Sequence, residues 1–308
     1  MDVVLFGAGA SSFSCSCEGL RPPLGLDLFS ALLEAYPQIR VDLDEKAFRA
    51  FNDATKFEEG MQLALEYGSQ SVAPLLRTMA KYLGRFEPCG CPENGYRQLL
   101  KGIRRNLAHI NFATLNYDLL FDRVALGEGL NLNFGGPRSR AGVSVLKPHG
   151  AADLLVDLET SELENVNFVG FSNYVQAATR RANSPEEIVS WCDDPRNGSV
   201  APVMSVYALG KRTPYNGDTV IHQRDLWSRL VLRAKRIVIV GVKLVEEDEH
   251  IWAPLAANRG AIMYVNINAG DGAAFVEWSR RTRHAAPHEF VEKGFLDAIS
   301  LVTRRLAK

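Results

Sequence analysis

MDVVLFGAGASS, residues 1–12, sets the reading of the whole chain. Residues 3–6 form an apolar run with no polar alternation, which reads as a strand buried on both faces. Gly7-Ala8-Gly9-Ala10-Ser11-Ser12 follows at once, a string of small residues that permits a sharp turn into a helix. Four more short apolar runs, at 110–114, 143–146, 237–240 and 262–267, carry the same β-branched or aromatic character between turn formers. Long helical patterns separate several of them, so the strands need crossover connections. The predicted class is α/β, a Rossmann-like and mostly parallel sheet.

Between the first and second runs the sequence changes character. From 28 to 107 apolar residues recur at helical spacing (Leu28, Ala31, Leu32 and Ala35, then Leu75, Leu76, Met79 and Leu83), with almost no strand signal. That length exceeds one crossover helix, and the reading is a helical insertion subdomain within a single domain of residues 1–308. Residues 173–182 and 226–234 are predicted as helices, the latter with Trp227, Leu230 and Val231 on one face. Residues 183–199 read as a polar connection, and 290–306 as a closing amphipathic helix.

Composition narrows the classes of function. Charged residues make up 23% of 308, and the formal net charge is -1, so no basic field draws the chain onto nucleic acid. No stretch approaches the ~20 apolar residues of a membrane span. The start has no basic leader. The expectation is a soluble, cytoplasmic protein. Cys15, Cys17, Cys89, Cys91 and Cys192 are an odd set, expected to be reduced. The two Cys-x-Cys pairs fall short of the spacing that structural zinc prefers, so no metal is expected.

The chemistry collects where the strands end. The first run leads into Gly7 and Gly9, the second into Asn116 and Asp118, and the third into Lys147-Pro148-His149-Gly150. The fourth leads into Gly241 and Val242, and the fifth ends near Asn268. In an open parallel sheet all these carboxyl ends share one edge, where ligands bind. Small residues after a strand let a backbone approach a pyrophosphate. Asn116 can hold a hydroxyl or water, Asp118 can accept from an amide, and a neutral His149 can take a proton near pH 7. Singly, each has a plainer reading: a tight strand–helix turn, a capped turn, and an imidazole bonded to backbone. Asp248, within the acidic run 246–249, is a weaker candidate for a ribose contact. His109, His222, His250, His284 and His288 read as surface or packing residues.

Gly7-Ala8-Gly9-Ala10-Ser11, Thr114-Leu115-Asn116-Tyr117-Asp118, Lys147-Pro148-His149-Gly150 and Gly241-Val242-Lys243-Leu244-Val245-Glu246-Glu247-Asp248 occur in that order. Together they resemble the sirtuin-like superfamily, and within it the bacterial branch of NAD-hydrolysing phage-defence proteins. The resemblance implies that Gly7, Ala8, Gly9, Ala10 and Ser11 line the NAD phosphates. It places Asn116 and Asp118 beside the nicotinamide ribose and carboxamide, makes His149 the general base, and sets Gly241, Val242 and Asn268 beside the adenosine half. The paired Cys-x-x-Cys zinc ligands of deacetylating sirtuins are missing, since Cys192 is the one cysteine between His149 and Gly241. The Phe-Gly-Glu stretch that pairs with acetyl-lysine peptides is missing too. The implied activity is therefore NAD hydrolysis to nicotinamide and ADP-ribose, in a gated antiphage effector. Implied partners are further copies of the chain and a HerA-type ATPase or short Argonaute-type subunit. A non-catalytic subunit that binds NAD or ADP-ribose uses the same glycines and is the alternative.

Overall fold

β1 (Asp2–Phe6) is buried along its whole length and sits at the centre of a seven-stranded sheet. The structure is a computed structural model that describes residues 1–14, 21–25, 27–54, 57–67, 72–135, 142–158, 164–169, 172–205, 217–283 and 286–307. The expectations for Cys15, Cys17 and His284 lie outside the described residues. The remaining strands are β2 (Ile110–Thr114), β3 (Asn131–Asn133), β4 (Gly142–Leu146), β5 (Leu154–Asp157), β6 (Glu164–Val169), β7 (Ser172–Gln176), β8 (Ala178–Arg181), β9 (Arg236–Val240), β10 (Ala261–Asn266) and β11 (His288–Glu292). The main sheet runs β11-β10-β9-β1-β2-β4-β3, and every pair in it is parallel.

The Rossmann-like α/β class read from the sequence is the one observed, and all five apolar runs are strands of this sheet. From β1 the chain winds outward in both directions, first through β2 and β4, later through β9, β10 and β11. The β1/β9 boundary is therefore the topological switch point, where adjacent crossovers leave a crevice at the carboxyl edge.

Side chains alternate across β1. Val4 and Phe6 join a core with Phe112, Val238, Val240 and the helices between β1 and β2. Val3 and Leu5 join a second core with Trp227, Trp252, Phe275 and Trp278 on the other face. Every described regular element between β1 and β2 is helical, among them Leu28–Ala35, Glu45–Asp53, Phe57–Glu66, Val72–Gly84 and Gly95–Gly102. This helical segment shares its core with the sheet rather than forming one of its own. No helix among the described residues is long and apolar enough to cross a membrane.

Three local expectations are corrected. The helix expected at 173–182 is replaced by β7 and β8. β8 pairs antiparallel with the buried β5, and that tertiary pairing overrides a weak local preference. The polar connection 183–199 contains a helix, Pro185–Asp193, with Pro185 in its first turn and the Ser184 hydroxyl accepting from Glu187 N at 3.3 Å. Residues 290–292 belong to β11, and the closing helix is Phe295–Ala307. β11 and β3 carry polar residues and lie at or beside exposed edges, so neither shows the apolar run of a central strand.

Trp227 is fully buried, with its indole N–H on Ile251 O at 3.4 Å. Trp227→Ala is expected to lower the unfolding free energy by about 3–5 kcal/mol. Leu126→Ala, at a position 57% exposed, should change it by no more than about 0.5 kcal/mol. Urea denaturation of both variants reads the difference.

Candidate functional site

The register of the sheet brings the strand ends together. Phe6 stands opposite both Thr114 and Val240, so Gly7, Leu115 and Gly241 leave three neighbouring strands at one level. Ala113 stands opposite Leu146. Asn116 and His149 each follow three residues after that pair, on adjacent strands and at the same edge.

The glycines are explained first by packing. Gly241 has φ +62°, and a Cβ there would lie 2.3 Å from Ala10 N. A Cβ on Gly7 would lie 2.5 Å from Gly241 O. The two turns thus touch backbone to backbone across the switch point. Gly7 N donates to Val240 O (3.0 Å), Gly9 N to Gly241 O (3.0 Å) and Ala10 N to Gly7 O (2.9 Å). Ala8 is exposed, while Ala10 faces the core. Val242 is buried, and its carbonyl accepts from the Tyr264 hydroxyl at 2.5 Å. Asn268 lies beyond β10, exposed, where its side chain caps the helix Ala269–Thr282 through Asp271 N at 3.0 Å.

Ser11 is the hub of the next layer. Its hydroxyl donates to Asp118 Oδ1 at 3.0 Å. With that single hydrogen used, its lone pairs accept from Asn116 Nδ2 at 2.9 Å and from the Tyr96 hydroxyl at 3.0 Å. Asn116 Nδ2 also donates to Gly7 O at 2.9 Å, so both amide hydrogens are committed. Among the described residues, Asn116 Oδ1 and Asp118 Oδ2 are the acceptors left over. Burial raises the Asp118 carboxyl, against the pull of Leu120 N, Ser11 and Lys147. Burial and then the Asp118 charge push the Tyr96 phenol well above its ordinary value. Ser11, Asn116, Asp118, Gly7 and Gly241 therefore form one connected constellation.

His149 sits on a turn whose backbone is tied at every residue. Lys147 N donates to Gln223 Oε1 (2.9 Å), Arg224 Nε to Pro148 O (3.1 Å) and Ser205 N to His149 O (2.8 Å). Gly150 N closes the turn on Lys147 O at 2.9 Å. Gly150 has φ +81° and bridges to Met204, where a Cβ would strike Val203 O. The imidazole is buried, 2% exposed. Its Nε2 lies 2.9 Å from His250 Nε2 and 4.0 Å from Asp248 Oδ2. His250, read from the sequence as a surface or packing residue, is partly exposed and sets its ring against that of His149, with ring centres 5.1 Å apart. Asp248, the weaker candidate, lies beside His149.

Beneath these loops lies a buried charge cluster that the sequence did not disclose. Lys147 Nζ pairs with Asp122 Oδ2, and Arg181 reaches Asp122 at 3.4 Å and pairs with Asp153. The Arg181 guanidinium also stacks 3.6 Å from the Phe134 ring centre. Burial raises the Asp153 carboxyl, against Arg181 and Lys147. Asp122 opens the helix Leu120–Gly127 that follows Asn116 and Asp118, and Lys147 begins the His149 turn. The Lys147–Asp122 pair therefore locks the two polar loops to each other.

Cys91 and Cys192 are free, as expected, and Cys91 Sγ makes a non-bonded contact of 2.8 Å with the sulfur of Cys89, which is itself disulfide-bonded, contrary to the expectation. Burial pushes the Cys192 thiol up to about 12. No group of three or more His, Cys, Asp or Glu among the described residues is arranged to hold a metal ion.

No protein-family model matches the chain, and no curated protein matches it in sequence. Among solved structures it is similar to a Sir2 homolog–NAD complex, at 17% identity and TM-score 0.49, over 99% of this chain and 88% of that one. A structure on the basis of sirtuin substrate affinity is similar at 16% identity and TM-score 0.45, over 99% and 93%. A Sir2 bound to an acetylated peptide is similar at 14% and 0.43, over 99% and 92%. Likeness this distant bears on no ligand of this chain; the sheet order itself establishes the fold.

Removing one member of a buried ion pair strands its partner. Lys147→Met is expected to cost about 3–5 kcal/mol of stability, and Lys147→Met with Asp122→Leu to recover part of it. Equal losses in single and double variants, read from urea midpoints, would contradict the lock.

Proposed function

We propose that the chain binds NAD at the β1/β9 edge and hydrolyses its nicotinamide–ribose bond. The observation that carries this reading is the pairing of Asn116 and His149 at one level of adjacent strands, with the Asn116 carboxamide anchored on Gly7 O at 2.9 Å. The quoted motifs support the choice of NAD by resemblance.

In the reaction the C–N bond between ribose C1′ and nicotinamide breaks, and its electron pair leaves with the ring, which becomes neutral. Positive charge builds on the ribose. A water oxygen bonds to C1′ and gives up a proton, so NAD and water yield ADP-ribose, nicotinamide and one proton. Asn116 Oδ1, fixed because both Nδ2 hydrogens are committed, accepts from the attacking water or a ribose hydroxyl. Asp118 Oδ2 accepts from the carboxamide of nicotinamide. His149 takes the proton, on a turn held rigid by Gln223, Arg224 and Ser205. Such preorganised placement accounts for most of the acceleration.

A second reading is a subunit that binds NAD or ADP-ribose through the same glycine turns without turning it over. Constant NAD cleavage would poison a cell, so the hydrolase reading carries gating by assembly or by a partner such as a HerA-type ATPase or short Argonaute-type subunit.

The test is nicotinamide released from NAD by the chain, alone and with the product of a neighbouring gene. Asn116→Ala and His149→Ala are expected to lower release by at least about 100-fold, with the fold retained by circular dichroism. Wild-type rates in either variant remove the assigned roles. Calorimetric NAD binding without release, under both conditions, selects the second reading.

A further inference from the structure

We propose, building on the hydrolase reading, that His149 and His250 share one proton and that His250 takes over the proton His149 removes. The two Nε2 atoms are 2.9 Å apart, with ring centres 5.1 Å apart and planes inclined at 55°. A nitrogen–nitrogen contact of that length holds a single proton, donated by one ring to the lone pair of the other. The protonation state of each Nε2 is therefore set by its neighbour.

The direction of transfer follows from the surroundings. His149 is buried, whereas His250 is partly exposed in the first turn of the helix Glu249–Ala257. An imidazolium kept on His149 would be desolvated. It would also sit beside Arg224, which reaches Pro148 O and the Ser205 hydroxyl. At His250 partial exposure hydrates the charge and gives the proton a way out to solvent, against the amino end of the helix, which opposes positive charge. Asp248 Oδ2 lies 4.0 Å from His149 Nε2, the atom from which the proton passes.

The step balances with one proton entering and one passing on. His149 begins with its proton on Nε2 and a lone pair on Nδ1, and His250 with its proton on Nδ1. The proton of the attacking water goes to His149 Nδ1 as the oxygen–C1′ bond forms. The Nε2 proton of His149 crosses to His250 Nε2. His149 ends neutral, and His250 ends as the imidazolium, from which the proton leaves to solvent. His250 is in this sense a positioning and relay residue that acts through His149.

Two measurements test the dyad. Spectra of protein labelled with ¹⁵N in its imidazoles read scalar coupling between the two Nε2 atoms across the shared proton, with no NAD present. Coupling is expected, and its absence overturns the proposal. His250→Gln, with His250→Asn as a second variant, is expected to lower kcat for nicotinamide release about 10- to 100-fold, with KM within about twofold of wild type. Calorimetric NAD binding shows that each variant is folded. The rate in mixtures of light and heavy water should follow a bowed curve for the wild type and a straight line for the variants. Wild-type kcat with a bowed curve in both variants overturns the relay. A wild-type chain that binds NAD but releases no nicotinamide removes the hydrolase reading and the relay with it, and the coupling then decides the shared proton separately.

Discussion

The Asn116 carboxamide reaches back across the sheet edge and donates to Gly7 O and Ser11 Oγ, both at 2.9 Å. Through those two bonds the turn after β2 is fastened to the turn after β1. The turn after β1 is pressed in its turn against Gly241 after β9, at a distance only glycine permits. Three loops drawn from distant parts of the chain thereby become one surface. Each buried hydrogen bond contributes on the order of 1 kcal/mol. Their larger effect is geometric, because saturating Ser11 and both Asn116 hydrogens fixes the Asn116 carboxamide in one orientation.

The fourth loop is secured differently. The His149 turn is held by backbone contacts to the segment before residue 206 and to the helix Gly217–Arg233, and underneath by the Lys147–Asp122 pair. A buried ion pair is costly to assemble and more costly to break, which suits it to fixing an arrangement rather than adding stability. Here it joins the chain just after Asp118 to the chain just before His149. The charge cluster thus belongs to the same design as the hydrogen-bonded knot above it.

The central sheet was legible because strands buried on both faces must be apolar, and β1, β2, β4, β9 and β10 each show an uninterrupted run. β3 and β11 hid because strands at the rim can stay polar. β8 hid because its strand state comes from antiparallel pairing with β5, in which Arg180 stands opposite Leu155, 25 residues earlier. The helix after Ser184 was readable from Ser184-Pro185-Glu186-Glu187, a start signal that a polar composition concealed. Within the site, Asn116, Asp118 and His149 could be picked out since each follows an apolar run. Tyr96, Arg224 and Gln223 lie on helices far from any strand end, and no spacing points to them. His250 carried a faint signal, standing two residues after Asp248 at a helix start. What the sequence could not supply was the nitrogen–nitrogen contact that gives it meaning.

For hydrolysis at the β1/β9 edge, Asn116 and His149 must address the same sugar. A crystal structure of the chain soaked with ADP-ribose tests this most directly. The expected result is ribose density at the β1/β9 edge, with a ribose hydroxyl or ordered water within hydrogen-bond reach of Asn116 Oδ1 and the His149 ring beside the same sugar. Density elsewhere on the molecule, or a sugar that meets one of these residues with the other turned away, would contradict it.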